Sequence, residues 1–348
     1  MSEVIVKKND RGLATILLNR PKALNALNIS MVREIKASLE AMKEDDDVRL
    51  ILFSSTNERA FCAGGDIKAL YEAKMNGENM EEAGRFFIEE YELDGMIYSY
   101  PKPIVANLDG IVMGGGVGLT YGAEYKIVTE RTKWAMPEMH ISFYPDVGAS
   151  YFLNQAPGYI GRYIALTAKT FEASDVLYMQ TANYYIPSED LDAFLQTLEK
   201  TNWKEEDVEE TMHNLLDNYQ KDVKKESLLQ RYEEKINEHF QYDTVEQIID
   251  SLDQDDSSFA QETKKLLTSL SPISLKVTLE LLRWAEGKTM DQCLTQDISV
   301  SQRFLAIDDF YEGARSVLID KDRQPSYRFQ TLEEVSDDLV QSFFQPNL

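Results

Sequence analysis

Strand-like and helix-like apolar patterns alternate along the first part of the chain. Four short apolar stretches have the composition of buried strands: Ala14 to Leu18, Leu50 to Ser54, Ile104 to Leu108 and Lys126 to Thr129. After the first stretch, apolar residues recur at the spacing that places them on one face of a helix: Val32, Ile35, Leu39 and Met42. This β-α-β pattern and its repetition predict an α/β fold, a spiral of such units with helices packed outside.

The composition changes in the second half of the chain. From about Ser188 to Thr268 there is no glycine, and acidic and amide residues dominate, as in the run from Lys204 to Glu210. This pattern predicts a mostly helical, acidic segment. We therefore divide the chain into a spiral core, residues 1–187, and a helical C-terminal region, residues 188–348, which includes the acidic insert at about 188–268. Beyond the insert, one C-terminal helix is predicted from Phe304, Ile307 and Phe310.

Size and composition limit the class of protein. The 348 residues are 43% hydrophobic, enough to bury a sizeable core in one large or two smaller domains. No apolar run approaches the roughly 20 residues that cross a bilayer, so no membrane association is expected. Only two cysteines and no signal-like apolar N-terminus suggest a reducing compartment, and we see no organelle-targeting extension before Val4. We therefore expect a cytoplasmic protein.

The charge balance argues against nucleic acid as a partner. The formal net charge is −24 at pH 7, and a surface of that sign repels polyanions. A polyanionic small molecule would therefore have to meet local positive charge.

The glycine run from Met113 to Gly118 is the most informative candidate site. Glycine lets peptide N–H groups approach a ligand closely, and a helix start adds unpaired N–H donors. The run follows the apolar stretch ending at Leu108 and opens the segment from Leu119 to Tyr125, so we interpret it as a strand-to-helix turn. It matches neither the phosphate loop nor the dinucleotide-binding spacing. An acyl oxygen is therefore the better candidate ligand.

A second glycine turn lies between Ala60 and Ile67, shortly after the strand-like stretch that ends at Ser54. Two such turns could place N–H donors on both sides of one oxygen. Asp66 precedes the helix-like residues Ile67 to Leu70, and its expected role is the N-cap of that helix rather than chemistry.

Three motifs, in this order, resemble the crotonase (enoyl-CoA hydratase/isomerase) superfamily. They are the segment from Asn19 to Asn28, the turn from Ala63 to Asp66, and the glycine run followed by Met136-Pro137-Glu138. The resemblance implies the crotonase fold, a spiral of β-β-α units, with the helical C-terminal region added to it. In that family the two turns supply a pair of backbone N–H groups that hold the carbonyl of a coenzyme A thioester.

By this resemblance, the N–H groups of Ala63 and Gly115 form the oxyanion hole. Neighbouring residues would contribute to substrate binding: Gly64, Gly114 and Asp66. The resemblance implies no cofactor, because coenzyme A is part of the substrate. The partner would be a small acyl-CoA molecule, and a homo-oligomer is an open alternative.

Two positions indicate which crotonase reaction to expect. Hydratases of the family use two glutamates, one shortly after the glycine run and one in the Pro-Glu pair. Here Gly118 stands at the first position, while Glu138 keeps the second. Because glycine cannot take or give a proton, hydratase chemistry is disfavoured.

The second position is Asp146, in the run Tyr144-Pro145-Asp146-Val147-Gly148, which resembles the 3-hydroxyisobutyryl-CoA hydrolase branch of the superfamily. Similar runs support this: Phe86 to Tyr91, Ser271 to Lys276, and Asp309 to Asp322. The resemblance covers about residues 4 to 325. It implies that Asp146 holds the 3-hydroxyl of the acyl group or handles a proton of water, and that Glu90 makes a further acyl contact.

Thioester hydrolysis suits these residues. Backbone donors would stabilise the developing negative charge, by roughly 3 to 4 kcal/mol for each good donor in a dry site. Glu138 would attack directly, giving a mixed anhydride, or activate water as a base. The sequence leaves both routes open. Carboxylates gathered near one pocket should raise each other's pKa, and one should stay protonated near neutral pH.

Other catalytic systems find little support in the sequence. No Gly-x-Ser-x-Gly motif occurs, and three scattered histidines suggest neither a triad nor a metal centre. His213 and His239 lie in charged segments and are expected at the surface. Cys62 and Cys293 are expected to be buried free thiols.

Candidates for the coenzyme A phosphates are the basic residues near the motif turns: Lys22, Arg59 and Lys68. The predicted helix near Phe304 could line the acyl or pantetheine tunnel. Two alternative functions remain: an enoyl-CoA hydratase or isomerase with an unusual carboxylate arrangement, and a CoA-ester-binding protein without turnover.

Overall fold

The apolar strands form two sheets in the structure, a computed structural model that describes residues 2–345 apart from the side chains of residues 81–83. In chain order the strands are β1 (Val4–Lys8), β2 (Leu13–Leu18), β3 (Leu50–Ser55), β4 (Ala60–Cys62), β5 (Ile104–Asn107), β6 (Ile111–Met113), β7 (Tyr125–Val128), β8 (Lys133–Ala135) and β9 (Tyr184–Tyr185).

The larger sheet has six strands in the order β1-β2-β3-β5-β7-β9. β1 pairs antiparallel with β2, and each following pair is parallel. β3 is buried almost throughout, as expected for a strand inside a parallel sheet that is covered on both faces. The smaller sheet has the order β4-β6-β8. The predicted strands near Ala14, Leu50, Ile104 and Lys126 are therefore confirmed, with small changes at their ends.

Helices connect most of the strands and dominate the second half of the chain. They are α1 (Ile29–Lys43), α2 (Ile67–Met75), α3 (Met80–Tyr98), α4 (Gly115–Tyr121), α5 (Ala149–Leu153), α6 (Ile160–Thr167), α7 (Ala173–Tyr178), α8 (Ser188–Lys200), α9 (Val208–Tyr219), α10 (Leu228–Arg231), α11 (Glu233–Phe240), α12 (Val245–Asp253), α13 (Ser258–Leu267), α14 (Pro272–Trp284), α15 (Met290–Leu305), α16 (Asp308–Ala314) and α17 (Asp337–Ser342). The predicted face of α1 is buried, from Val32 to Met42. None of the helices in the described part of the chain is long and apolar enough to cross a membrane.

Two predicted boundaries are corrected. The helix expected from Leu119 to Tyr125 begins inside the glycine run, at Gly115, and Tyr125 starts β7. A single helix was expected from Phe304, Ile307 and Phe310, but the structure has two helices there. Phe304 lies in α15, Ile307 is the N-cap of α16, and Phe310 lies in α16.

The chain forms two compact units. The first comprises residues up to Gly65, Glu92–Trp134 and Phe171–Ser227, and it holds the sheets except for Ala135, the last residue of β8. The second comprises Asp66–Tyr91, Ala135–Thr170 and the residues from Leu228 onward, and it is helical.

The acidic segment is helical, as predicted, and its first two helices complete the first unit. Apolar residues of α8 and α9 pack in one cluster with the large sheet; from the helices they are Leu191, Phe194, Leu198, Met212 and Leu216. The sheet contributes β-strand residues such as Leu50, Val105 and Ile127. The compact units therefore cut across the sequence-based division at residues 187 and 188, because these helices bury their apolar faces on the sheet.

Candidate active site

The two glycine turns lie side by side in the first unit, because β4 and β6, the strands that precede them, are paired in parallel. Gly64 has φ +100°, and a Cβ there would lie 3.2 Å from the carbonyl oxygen of Met113. A Cβ at Gly116 would lie 2.7 Å from the carbonyl oxygen of Cys62. Glycine is thus required for the close approach, and the structure brings the two predicted turns together.

The second turn exposes backbone donors at the start of α4. Gly114, at φ +49°, is the N-cap, and its carbonyl oxygen accepts from the N–H groups of Val117 and Gly118. Within residues 2–345 the Gly115 N–H has no hydrogen-bond acceptor. Gly115 therefore has the backbone geometry expected of an oxyanion donor.

The predicted donor Ala63 does not fit the geometry of the first turn. Its N–H donates to the carbonyl oxygen of Leu24 at 3.1 Å. Leu24 is in the left-handed conformation, at φ +50°, where it ends the 3-10 turn Pro21–Ala23. Two residues beyond Ala63, the Gly65 N–H has no acceptor in the described part of the chain. The structure therefore favours Gly65 over Ala63 as the donor of this turn.

The motif from Asn19 to Asn28 holds the first turn in place. Asn25 is fully buried and accepts a hydrogen bond from the Arg20 N–H at 2.8 Å. Its side-chain amide donates to Ser55 Oγ at 2.7 Å and to the carbonyl oxygen of Phe61 at 2.9 Å. Through Asn25 the motif is hydrogen-bonded to β4 and to the end of β3, a structural role that the sequence did not indicate.

Asp94 occupies the space that a side chain at Gly118 would enter. A Cβ at Gly118 would lie 2.6 Å from Oδ2 and 2.9 Å from Oδ1 of Asp94, a buried residue of α3. Asp94 therefore fills the space beside the position where the family's hydratases have a glutamate.

Replacing Gly118 by Glu should destabilise the protein without creating hydratase activity. The new side chain would overpack the site, at a cost of about 1 to 3 kcal/mol, and would add a second carboxyl group beside Asp94. Urea unfolding would measure the loss. Adding Asp94→Ala in the same chain should recover part of it, and a single variant as stable as the parent would contradict this account.

The second unit carries the candidate carboxylates. Glu138 begins the 3-10 turn Glu138–Ile141 and is 8% exposed. Its Oε2 has no hydrogen-bond partner within the described residues. A buried carboxyl oxygen without a partner is costly to maintain for packing alone, which fits a group that serves a ligand.

Asp146 is 4% exposed and accepts a hydrogen bond from the Tyr91 hydroxyl at 2.7 Å. Tyr91 ends the family-like run from Phe86, but no sequence pattern indicates that its side chain reaches a residue 55 positions away. The Tyr91 hydroxyl bonds to Oδ2 of Asp146, so Oδ1 does not take part in this hydrogen bond.

Burial raises the pKa of both carboxyl groups. For Glu138, burial and then the charge of Asp146 raise the pKa well above its usual value. For Asp146, burial raises the pKa to about 7, against the lowering effect of the Tyr91 hydrogen bond. The prediction of raised values is confirmed in direction, although loss of water contributes more than mutual repulsion.

Two other predicted substrate contacts have defined positions. Glu90 is buried on α3, next to Tyr91. Asp66 is the N-cap of α2 and accepts from the Ala69 N–H at 3.1 Å, so its predicted capping role is confirmed. The substrate-binding roles of both residues stay predictions.

Gly313 allows α16 to contact the turn that carries Glu138. A Cβ at Gly313 would lie 2.3 Å from the carbonyl carbon and 2.4 Å from the carbonyl oxygen of Ile141. Any side chain there must therefore move the backbone of the Glu138–Ile141 turn.

Replacing Gly313 by Ala should lower turnover and also cost about 1 to 3 kcal/mol of folding stability, because backbone atoms cannot yield as a flexible side chain can. Steady-state kinetics and urea unfolding would test this. Gly84→Ala is the matched control: its Cβ would meet only the end of the Leu305 side chain, at 3.3 Å. Equal behaviour of the two variants would contradict the role of Gly313.

The histidine prediction is wrong for His239, which is 1% exposed. Its Nδ1 lies 2.9 Å from Ser251 Oγ, and its Nε2 lies 3.0 Å from Asp255 Oδ2. His239, Asp255 and Glu238 form a group whose ligand atoms are close enough to hold a metal ion. However, Lys235 donates to Asp255 at 3.0 Å, so the group is already satisfied as a hydrogen-bonded link between α11 and the end of α12. His213 is exposed, and both cysteines are buried and outside any disulfide of the described residues, as predicted.

The predicted phosphate-binding residues are exposed, namely Lys22, Arg59 and Lys68. Lys68 Nζ lies 3.7 Å from Oε1 of Glu72, one turn along α2. Such an exposed pair is weak and would yield to a phosphate.

Comparison with known proteins decides the family. The profile of the enoyl-CoA hydratase/isomerase family matches residues 13–344. The chain belongs to this enoyl-CoA hydratase/isomerase (crotonase) family. It is 39% identical over 345 residues to the mitochondrial 3-hydroxyisobutyryl-CoA hydrolase of Mus musculus, covering 99% of this chain and 89% of that protein.

Two solved structures resemble this crotonase along its whole length. One is a carnitinyl-CoA dehydratase from Mycobacterium thermoresistibile, with a TM-score of 0.91 and 37% identity, covering 100% of this chain and 97% of that one. The other is an enoyl-CoA hydratase from Rhodobacter sphaeroides, with a TM-score of 0.89 and 33% identity, covering 99% and 98%. The α/β fold predicted from the sequence is therefore confirmed as the crotonase fold with a helical C-terminal region.

Proposed function

We propose that this crotonase hydrolyses the thioester of a short 3-hydroxyacyl-CoA, with 3-hydroxyisobutyryl-CoA as the favoured substrate and 3-hydroxypropionyl-CoA as a close relative. The observation that carries the proposal is that Asp94 occupies the space that a glutamate at position 118 would enter. The chain has both Glu138 and Asp146. The 39% identity to the 3-hydroxyisobutyryl-CoA hydrolase of Mus musculus supports the same substrate.

The first step is attack on the thioester carbonyl. The carbonyl oxygen becomes an oxyanion, and the N–H groups of Gly65 and Gly115 would stabilise it. Gly115 thus keeps its predicted role, and Gly65 takes the donor role that the resemblance gave to Ala63. Gly64 and Gly114 are the glycines that let the turns approach the ligand. Collapse of the tetrahedral intermediate breaks the C–S bond, and the departing thiolate takes a proton to give free coenzyme A.

Glu138 would supply the attack by one of two routes. As a nucleophile, its carboxylate forms a mixed anhydride with the acyl group, and water then hydrolyses the anhydride. As a base, it takes a proton from the water that attacks the thioester. Borohydride would trap a mixed anhydride by reducing it at Glu138, and mass spectrometry of the peptide would detect the change.

Asp146 would accept a hydrogen bond from the 3-hydroxyl of the acyl group through the carboxyl oxygen that Tyr91 does not occupy. Glu90 would make a further acyl contact, and Asp66 would lie at the substrate end of its turn. The proposal needs no cofactor, because coenzyme A arrives as part of the substrate and water is the co-reactant. The coenzyme A phosphates would pair with the exposed cations Lys22, Arg59 and Lys68.

The second candidate function is an enoyl-CoA hydratase or isomerase. The two similar solved structures are named a dehydratase and a hydratase, which favours it. The absence of a glutamate at Gly118 opposes it, since water addition in this family uses a pair of carboxylates. A protein that binds CoA esters without turnover is the remaining alternative.

A thiol-release assay separates these functions. Free thiol should appear from 3-hydroxyisobutyryl-CoA faster than from 3-hydroxypropionyl-CoA, acetyl-CoA or butyryl-CoA. Loss of the enoyl absorbance of methacrylyl-CoA without thiol release would favour the hydratase. Tight binding of the esters with no product of either kind would favour the binding protein.

The compartment and assembly are further parts of the proposal. We propose a cytoplasmic location from the sequence composition, although the name of the Mus musculus relative places that protein in mitochondria. Fractionation of source cells with an antibody to the chain would decide between them. Light scattering of the purified protein would decide whether it forms a homo-oligomer.

A further inference from the structure

One acidic residue stands on the apolar face of α15. Met290, Leu294 and Asp297 follow one another at spacings of four and three residues, so they share a face of the helix. Asp297 is 0% exposed. A single aspartate on a buried apolar face is the sequence signal that could have drawn attention to this residue.

The face of α15 contacts the segment that carries Asp146. Oδ2 of Asp297 accepts a hydrogen bond from the Gly148 N–H at 2.8 Å. The backbone oxygen of Asp297 accepts from the Tyr144 hydroxyl at 2.8 Å. Met290 covers Gly148 so closely that a Cβ there would lie 2.5 Å from the Met290 side chain. The helix therefore contacts the segment on both sides of Asp146.

The backbone of this segment is strained beside Asp146. Val147 has φ +52°, which is unusual for a β-branched residue, and Gly148 has φ +78°. Such conformations persist where surrounding contacts hold them, and they concentrate at functional sites. The hydrogen bond from Gly148 to Asp297 is one of the contacts that hold this conformation.

Asp297 also keeps an unsatisfied atom. Its Oδ1 has no hydrogen-bond partner in the described part of the chain. Burial, and then the charge of Asp146, raise the pKa of Asp297 well above its usual value. A buried carboxyl group with an unsatisfied oxygen costs more free energy than an apolar residue at the same position. Its presence is explained by the acceptor that it offers to Gly148.

We propose that Asp297 is a positioning residue for Asp146: by accepting the Gly148 N–H it holds the Val147-Gly148 backbone in its left-handed conformation and so orients the Asp146 carboxyl group. The inference rests on the proposed function, in which Asp146 contacts the acyl group. Asp297 itself touches no substrate.

Two substitutions at Asp297 test the acceptor. Asp297→Ala removes the acceptor and should lower kcat for 3-hydroxyisobutyryl-CoA by about 10- to 100-fold, the scale of a small misplacement of a reacting group. KM should change by less than about threefold. Asp297→Asn keeps an oxygen for the Gly148 N–H and should retain at least about a third of the wild-type kcat. The matched control is Asp175→Ala, which removes a buried aspartate that accepts from Ser227 Oγ in the first unit.

Three results would overturn the inference. They are a wild-type kcat in Asp297→Ala, an equal loss in the Ala and Asn variants, and an equal loss in Asp175→Ala. If Asp297→Ala does not fold, Gly148→Ala carries the test. This substitution strains the backbone at Gly148, where φ is +78°, and so disturbs the hydrogen bond to Asp297 while both Asp146 and Asp297 stay in place. It should lower kcat to a similar extent, and an unchanged kcat would contradict the proposal.

The outcome can be separated from failure of the proposed function. If the wild-type protein releases no thiol from any ester, the proposed function fails before Asp297 is examined. If the wild type is active and the Asp297 variants behave alike, only the positioning role fails.

Discussion

Replacing Glu138 by Gln should lower thiol release from 3-hydroxyisobutyryl-CoA by roughly 10²- to 10⁴-fold, the usual range for loss of a general acid or base, and by more if Glu138 is the nucleophile. The amide keeps the size and buried position of the side chain but can neither attack the carbonyl nor take a proton from water. Affinity for the substrate, measured calorimetrically with the inactive variant, should stay within about threefold of the wild-type KM.

Asp175→Asn is the control for this experiment. It neutralises a buried carboxyl group of the first unit that bonds to Ser227, and it should leave kcat unchanged. Turnover near the wild-type value in Glu138→Gln would remove Glu138 from the mechanism. A large loss of affinity with little change in kcat would assign it to binding instead.

Replacing Asp146 by Asn should lower kcat by about 10²-fold and change the pH dependence. The pKa of Asp146 is about 7, and its ionised form is the one that accepts the 3-hydroxyl, so wild-type kcat/KM should rise with pH through this range. In the variant, the charge that raises the pKa of Glu138 is gone. The remaining rise in activity should therefore move to lower pH. A profile that keeps the wild-type midpoint would contradict this assignment.

The same pKa gives a stability prediction for the Asp146→Asn variant. The ordinary value is 3.8 and the folded value is about 7, so the folded protein binds the proton more tightly than the unfolded chain. The contribution of Asp146 to stability is fully present below about pH 4, and it is lost as pH rises through 7. Asn does not titrate. The thermal midpoint of the variant should therefore rise relative to that of the wild type between about pH 4 and 7, and the difference should stay constant above pH 7. Midpoints that differ equally at pH 4 and pH 8 would contradict the raised pKa.

The sequence identified the carboxylates through the family resemblance of two short motifs, and the residues of these motifs also define the local backbone. Glu138 follows a proline that is the N-cap of its 3-10 turn, and Asp146 precedes Val147 and Gly148, which have left-handed conformations. Such local patterns can be recognised in the amino-acid sequence. Asp66 belongs to the same class, since an N-cap is recognised from the residues that follow it.

The roles of Tyr91 and Asp297 were not predicted from the sequence, because they depend on contacts between distant parts of the chain. Tyr91 meets Asp146 across 55 residues, and Asp297 meets Gly148 across 149 residues. No local pattern encodes such contacts, because they depend on how whole helices pack. His239 was wrongly placed at the surface for the same reason: its neighbours in sequence are charged, but Ser251 and Asp255 enclose it.

The sequence alone determined the α/β pattern and the two glycine turns, because glycine spacing and apolar periodicity act over a few residues. The resemblance of its motifs to the crotonase superfamily added the fold and the meaning of Gly118, which stands where the hydratases have a glutamate. Tertiary structure decided which donors are available. The Leu24 carbonyl, carried from a distant turn, occupies the Ala63 N–H and leaves that of Gly65 without an acceptor among residues 2–345. A backbone N–H becomes available to a ligand only when no carbonyl from elsewhere in the chain reaches it, and that depends on three-dimensional packing.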